Sequence, residues 1–172
     1  MAFQSRQFVP ATLAALRVAL AILIASAAVF AANGDDLSWL QPYNIVWNAQ
    51  SRNSSESMPC GGGDTGLNVW VENGELLCYV QRSGAFDENN QYMKLGRLRI
   101  SLDPNPFLPG GEFRQESKLR EGFIEITGKR ANLQAKINVW VEVQNPVVHV
   151  DVSSDSPVRV SAAYENWRQS DL

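Results

Sequence analysis

One histidine and two cysteines are all that 172 residues offer as imidazole or thiol groups. With no more than that, none of the usual zinc-ligand spacings can be assembled, and no metal site is expected. No Gly-x-Ser-x-Gly elbow is present, so a serine nucleophile of the hydrolase type has no place to sit. His149 falls on the polar side of a strand beside Asp151 and reads as a solvated strand histidine. Lys and Arg number 15 against 18 acids, without a basic stripe, which excludes the electrostatic footprint of a nucleic-acid binder. No apolar run reaches the roughly 20 residues needed to span a bilayer as a helix.

The longest such run, Val18 to Ala31, instead has the build of an export signal. Arg6 and Arg17 precede or open it, and Val29-Phe30-Ala31 supplies small residues where a signal peptidase cuts. An uncleaved anchor is the competing reading. Cleavage after Ala31 leaves 141 residues and deepens the net charge from −3 to −5, enough chain for one domain. The product is then secreted or periplasmic, with no membrane attachment after cleavage. In that compartment Cys60 and Cys78 are able to form one disulfide, although a buried free Cys78 fits equally well. Asn53-Ser54-Ser55 is a glycosylation sequon, meaningful in a eukaryote.

Past the leader, period-2 alternation replaces helical spacing. Strands are expected over 43–47, 66–72, 75–82, 97–103, 122–127, 133–143, 147–153 and 158–164. Gly, Pro and Asn turns divide them, a pattern of antiparallel sandwiches and barrels. Asn73-Gly74 is a two-residue turn signal. It pairs Glu72 with Glu75, Val71 with Leu76, Trp70 with Leu77 and Val69 with Cys78. One face then carries Leu67, Val69, Val71, Leu76, Cys78 and Val80. The same arithmetic puts Ala135, Ile137, Val139, Val141 and Val143 inward, and turns Trp140 outward.

The glycine-rich stretch Cys60-Gly61-Gly62-Gly63-Asp64-Thr65-Gly66 precedes a strand. It lacks the Gly-Lys-Ser/Thr ending of a phosphate loop and does not open a helix, so both nucleotide readings fail. It reads as the lip of a sheet. Asp64 on that lip suits either a grip on sugar hydroxyls or an Asx-turn. Trp70, Tyr79 and Trp140, on wet strand faces, suit a sugar-stacking platform or, better, the seat of another protein layer. Eighteen acids show no spacing that singles out the carboxylate pair of a glycosidase. No cofactor is expected.

Several motifs recur in one order: Tyr43-Asn44-Ile45-Val46-Trp47, Ser57-Met58-Pro59, the Gly61–Gly66 lip, Leu67-Asn68-Val69-Trp70-Val71, Lys94-Leu95-Gly96-Arg97-Leu98-Arg99, Asn105-Pro106-Phe107 and Tyr164-Glu165-Asn166-Trp167-Arg168. Together they resemble the N-terminal domain of the family catalogued as domain of unknown function 5703. The lip is also similar to one in inverting α-L-fucosidases, with Gly62 where those relatives usually carry Asn. The resemblance implies an all-β, antiparallel β-sandwich, part of a larger super-sandwich, placed ahead of an (α/α)6 barrel that carries the catalytic acids. It implies that the glycine lip lies near the sugar cleft; Gly61, Gly62, Gly63, Asp64, Trp70 and Trp140 are the candidate substrate-binding residues, and no catalytic residue is expected in this chain.

The expected organisation is a leader over 1–31, a linker over 32–41 and a sandwich domain over 42–172, truncated at its C-terminal end. The expected function is a non-catalytic module of a secreted glycoside-hydrolase-like protein, packing on a helical-barrel domain and bordering its carbohydrate site. A free-standing carbohydrate- or protein-binding sandwich is the alternative.

Overall fold

The computed structural model describes residues 36–93 and 96–166. The expected leader and the motif residues Lys94, Leu95, Trp167 and Arg168 lie outside them. All strands belong to the compact unit Ser38–Leu172. Two 3-10 segments, Ser38–Tyr43 and Ser54–Glu56, flank the first strand. No helix among the described residues is long and apolar enough to cross a membrane.

Ten strands follow among the described residues: β1 Ile45–Trp47, β2 Met58–Gly62, β3 Thr65–Glu72, β4 Glu75–Arg82, β5 Gly96–Asp103, β6 Glu112–Lys118, β7 Phe123–Arg130, β8 Leu133–Val141, β9 Val148–Ser154 and β10 Arg159–Glu165. They form two five-stranded sheets, ordered β1-β6-β7-β8-β9 and β10-β5-β4-β3-β2. Every pairing is antiparallel. The protein is an all-β sandwich.

The Asn73-Gly74 hairpin has the register its turn dictates, with Glu72 opposite Glu75 and Val69 opposite Cys78. Both turn residues have positive φ, 52° and 81°, as a type I′ turn requires. Two side-chain amides clamp it: Gly74 N–H donates to Gln50 Oε1 at 2.9 Å, and Asn105 Nδ2 donates to the Gly74 carbonyl at 2.9 Å.

The inward rows meet in one core. Leu67, Val69, Val71, Leu76, Cys78, Ile100 and Leu102 face Ile124, Ile126, Ala135, Ile137, Val139 and Val141, with Met58 and Phe107 filling between them. Each fully buried side chain of this size contributes about 1.5–3 kcal/mol.

Three strand expectations need correction. The glycine stretch is not a loop leading into a strand: Met58–Gly62 is itself edge strand β2, turning through Gly63-Asp64 into β3 with Gly62 opposite Thr65. Val143 is not in the core; β8 ends at Val141, and Val143 is 73% exposed. Gly128, just past the end of the expected strand 122–127, lies inside β7. Its hydrogen faces the Phe107 ring, where a Cβ would fall 2.3 Å from Cδ1, so the glycine leaves room for the aromatic. The turn comes later, at Ala131, whose φ is 53°.

Strand β6 was not expected at all. Its sequence, Glu-Phe-Arg-Gln-Glu-Ser-Lys, has one strong hydrophobe, so alternation gives no signal. Its middle inward position is Gln115, buried, with Nε2 donating to the Val69 carbonyl of the facing sheet at 3.2 Å. A polar side chain is acceptable there because part of its hydrogen bonding is met across the sandwich.

Candidate functional site

The glycines of β2 are occupied by this chain's own backbone. β2 packs on β8 and β7 of the other sheet. A Cβ on Gly62 would stand 2.5 Å from the Val141 carbonyl oxygen, and one on Gly63 2.3 Å from that of Val143. Gly63 also has φ of 58°, open to glycine at little cost. Cys60 Sγ, one step earlier, donates to the Val139 carbonyl at 3.8 Å. Cys60, Gly62 and Gly63 thus follow the alternate carbonyls of Val139, Val141 and Val143, along β8 and just past its end, and their small size serves that close approach.

Asp64 is exposed and held by Arg82 Nε at 2.8 Å. Thr65 Oγ1 donates to its other oxygen at 3.2 Å. The Arg82 hydrogen bond holds its carboxyl below the usual range.

The two cysteines are free, which corrects the disulfide reading. Cys60 lies opposite Leu67 on β3 and Cys78 opposite Val69 on the other side of that strand. With a whole strand between them and a two-residue offset along it, the Cα atoms are more than about 9 Å apart, beyond the ~7 Å limit for a bridge. Burial pushes the Cys78 thiol up to about 12 and raises that of Cys60, so neither serves as a thiolate nucleophile at neutral pH.

The tryptophans are not an open platform. Trp70 is 1% exposed. Its indole donates to Glu72 Oε2 at 3.0 Å, and the Tyr79 ring packs edge-on at 4.7 Å. Trp140 is half-buried; the His149 imidazole stacks on it at 3.8 Å and 5° and covers one face of the ring. Its indole donates to Asp151 Oδ2 at 3.0 Å. His149 Nε2 is buried without a hydrogen-bond partner.

Asn53 is exposed, and its Oδ1 accepts from Ser55 N–H at 2.9 Å, capping the short 3-10 segment. Among the described residues no three His, Cys, Asp or Glu side chains are close enough to hold a metal ion.

A concavity lies elsewhere. A cavity of about 510 Å³ is lined by residues 48–52, Glu72, Asn73, Phe107, Leu108, Pro109 and Gly111 to Phe113. A second, of about 360 Å³, shares Asn48, Glu112 and Phe113 with it and runs on to Arg114, Thr127, Lys129 and Gln134. The shared residues make the two one groove. Its walls are tied by the amides that clamp the hairpin: Gln50 Nε2 donates to the Phe107 carbonyl, and Phe107 N–H donates to Asn105 Oδ1 at 2.8 Å. None of the expected substrate residues lines it. Two of its signals were in the chain: the Asn105-Pro106-Phe107 motif and the amide Gln50. Glu112 and Phe113 belong to the strand that alternation does not reveal.

A two-sheet antiparallel sandwich with an open groove at its surface defines a β-sandwich module. Residues 46–172 match the family model DUF5703_N, described as "Domain of unknown function (DUF5703)", and the chain belongs to this family. No curated protein matches the chain.

Proposed function

We propose that the chain is a non-catalytic β-sandwich module of a secreted glycoside-hydrolase-like protein. It packs beside a helical-barrel catalytic domain, borders that domain's carbohydrate site, and contributes the groove between residues 48–52 and Phe107–Phe113. The groove is the observation that carries this reading. At about 510 Å³ its main chamber lies within the usual ligand range of roughly 300–1,000 Å³. A sugar ring has hydroxyls at its edge and C–H groups on its faces. Glu72 and Glu112 supply acceptors, Arg52 donors and Asn48 both, while Leu108, Pro109 and Phe113 supply apolar surface. Walls fixed by Gln50 and Asn105 need little ordering on binding, which favours affinity.

Affinity electrophoresis in gels carrying soluble polysaccharides tests the reading. Asn48 and Glu112 are exposed, so Asn48→Ala and Glu112→Ala leave the fold intact. Each loses about 1–2 kcal/mol of hydrogen bonding, a roughly tenfold weaker retardation. Trp140→Ala leaves retardation unchanged. An unretarded wild-type protein, or retardation that depends on Trp140 and not on the groove, rejects the site.

A further inference from the structure

A two-sheet sandwich has four edge strands, and three of these are blunted. β1 has only three residues. β2 carries Pro59 and lies down on β8. β9 turns the carboxylate of Asp151 outward, and its inward valines are half-buried. These are the ordinary defences of a sheet edge. β10 is neither short nor proline-bearing, and its charges, Arg159 and Glu165, stand only at its two ends. Its seven residues, Arg-Val-Ser-Ala-Ala-Tyr-Glu, contain no proline, glycine or lysine and pair with β5 over seven consecutive positions without a bulge. All but Glu165 are exposed.

Its inward row is also uncovered. Val160, Ala162 and Tyr164 lie opposite Leu102, Ile100 and Leu98 of β5. On β5 that row is core, with Leu102 5% and Ile100 6% exposed, whereas Val160 is 46% and Tyr164 57% exposed. An apolar row thus runs to the rim and stops beside an open backbone edge.

We propose that β10 is a self-pairing edge, occupied by β10 of a second copy of this chain in antiparallel, two-fold arrangement centred on Ala162. The sequence of the strand selects this partner. Residues directly opposite in a sheet share a face, so registers displaced by one residue are excluded. Centring on Ala162 pairs all seven positions: Val160 with the partner subunit's Tyr164, Ser161 with the partner subunit's Ala163, and Arg159 with the partner subunit's Glu165. Centring on Ser161 or on Ala163 keeps the faces but sets Arg159 or Glu165 against an uncharged residue. Glu165 is already fixed by Arg97 and Arg99, at 2.5 and 2.6 Å, and so presents its carboxylate in a defined position. The contact is isologous: each opposite-charge pair and each Val–Tyr pair occurs twice. It joins two five-stranded sheets into one of ten and satisfies the exposed backbone groups of both edges.

Sedimentation velocity on the intact chain, from low micromolar to ~100 µM, tests this. The expected result is a species of twice the single-chain mass, with amide exchange over Arg159–Glu165 slowing as concentration rises. Ala162→Lys places two ammonium groups across the two-fold axis, and it yields monomer with an unchanged far-ultraviolet circular dichroism spectrum. Arg159→Glu weakens association by about tenfold or more, through repulsion from the partner subunit's Glu165. A chain that stays monomeric across this range overturns the proposal, whether or not a longer polypeptide or a foreign strand covers β10. So does a dimer indifferent to both substitutions.

Discussion

Glu116 shows how one side chain settles a patch of surface. It lies opposite Val46 on one side and Glu125 on the other, and two acids across a ladder would repel. Lys118 stands 3.4 Å from each, Arg114 Nη1 donates to Glu116 at 2.5 Å, and Asn44 Nδ2 donates to it at 3.0 Å. Led by the Arg114 hydrogen bond, these hold the carboxyl down at about 2, against 4.5 ordinarily. A carboxylate whose pKa is depressed on folding stabilises the fold above its unfolded value and loses that contribution as pH falls. The loss therefore falls between pH 4.5 and about 2. Glu116→Gln costs about 1 kcal/mol at neutral pH and flattens the acid limb of a urea-denaturation profile over that window. An unaltered acid limb would show that Glu116 is not its source. None of this was legible in the sequence, because alternation does not reveal β6, and Asn44 and Glu125 are brought to Glu116 only once β1 and β7 have paired with that strand.

The strands divide by how much pattern they carry. β3, β4 and β8 alternate cleanly, and Asn73-Gly74 admits one register, so their faces could be assigned on paper. β6 carries Gln and Ser at inward positions, and Gln115 is accommodated only by a carbonyl on the opposite sheet. β2 misleads in another way: glycine and proline ordinarily break strands, yet here glycines let an edge strand lie against backbone. Gly62 and Gly66 separate this role from mere flexibility. Gly62→Ala drives a methyl into the Val141 carbonyl, whereas an added Cβ at Gly66 meets nothing within 4 Å. The first substitution lowers stability by about 2–3 kcal/mol, the scale of overpacking. The second stays within roughly 0.5 kcal/mol of wild type, as an unobstructed surface change does. Thermal unfolding of the pair checks this, and equal shifts would remove the close-packing role of β2.

At the scale of the whole molecule, the core rather than a cross-link holds the sandwich together. Cys60 and Cys78 lie on the same face with β3 between them, so a reducing agent leaves the melting temperature unchanged. A native bridge closing so short a loop would contribute about 3 kcal/mol, and its reduction would lower the melting temperature by several degrees. The candidate site belongs to this scale as well. Glycines, Asp64 and outward tryptophans are the residues that catch the eye, yet Trp70 is buried and His149 covers one face of Trp140. The groove's main chamber is built from three separated segments, residues 48–52, 72–73 and 107–113, brought together by two amides. Its Phe107 was visible as part of a motif, but its neighbours carry no periodicity of their own. The amino-acid sequence by itself determined an all-β chain, its best hairpin register, the inward rows and the family, because alternation and turn chemistry act between near neighbours. Tertiary structure alone decided which sheet each strand joins, that the glycines meet β8, that the thiols stay apart, and where the groove and the bare β10 edge lie. Those depend on contacts between residues far apart in the chain, which no local pattern encodes.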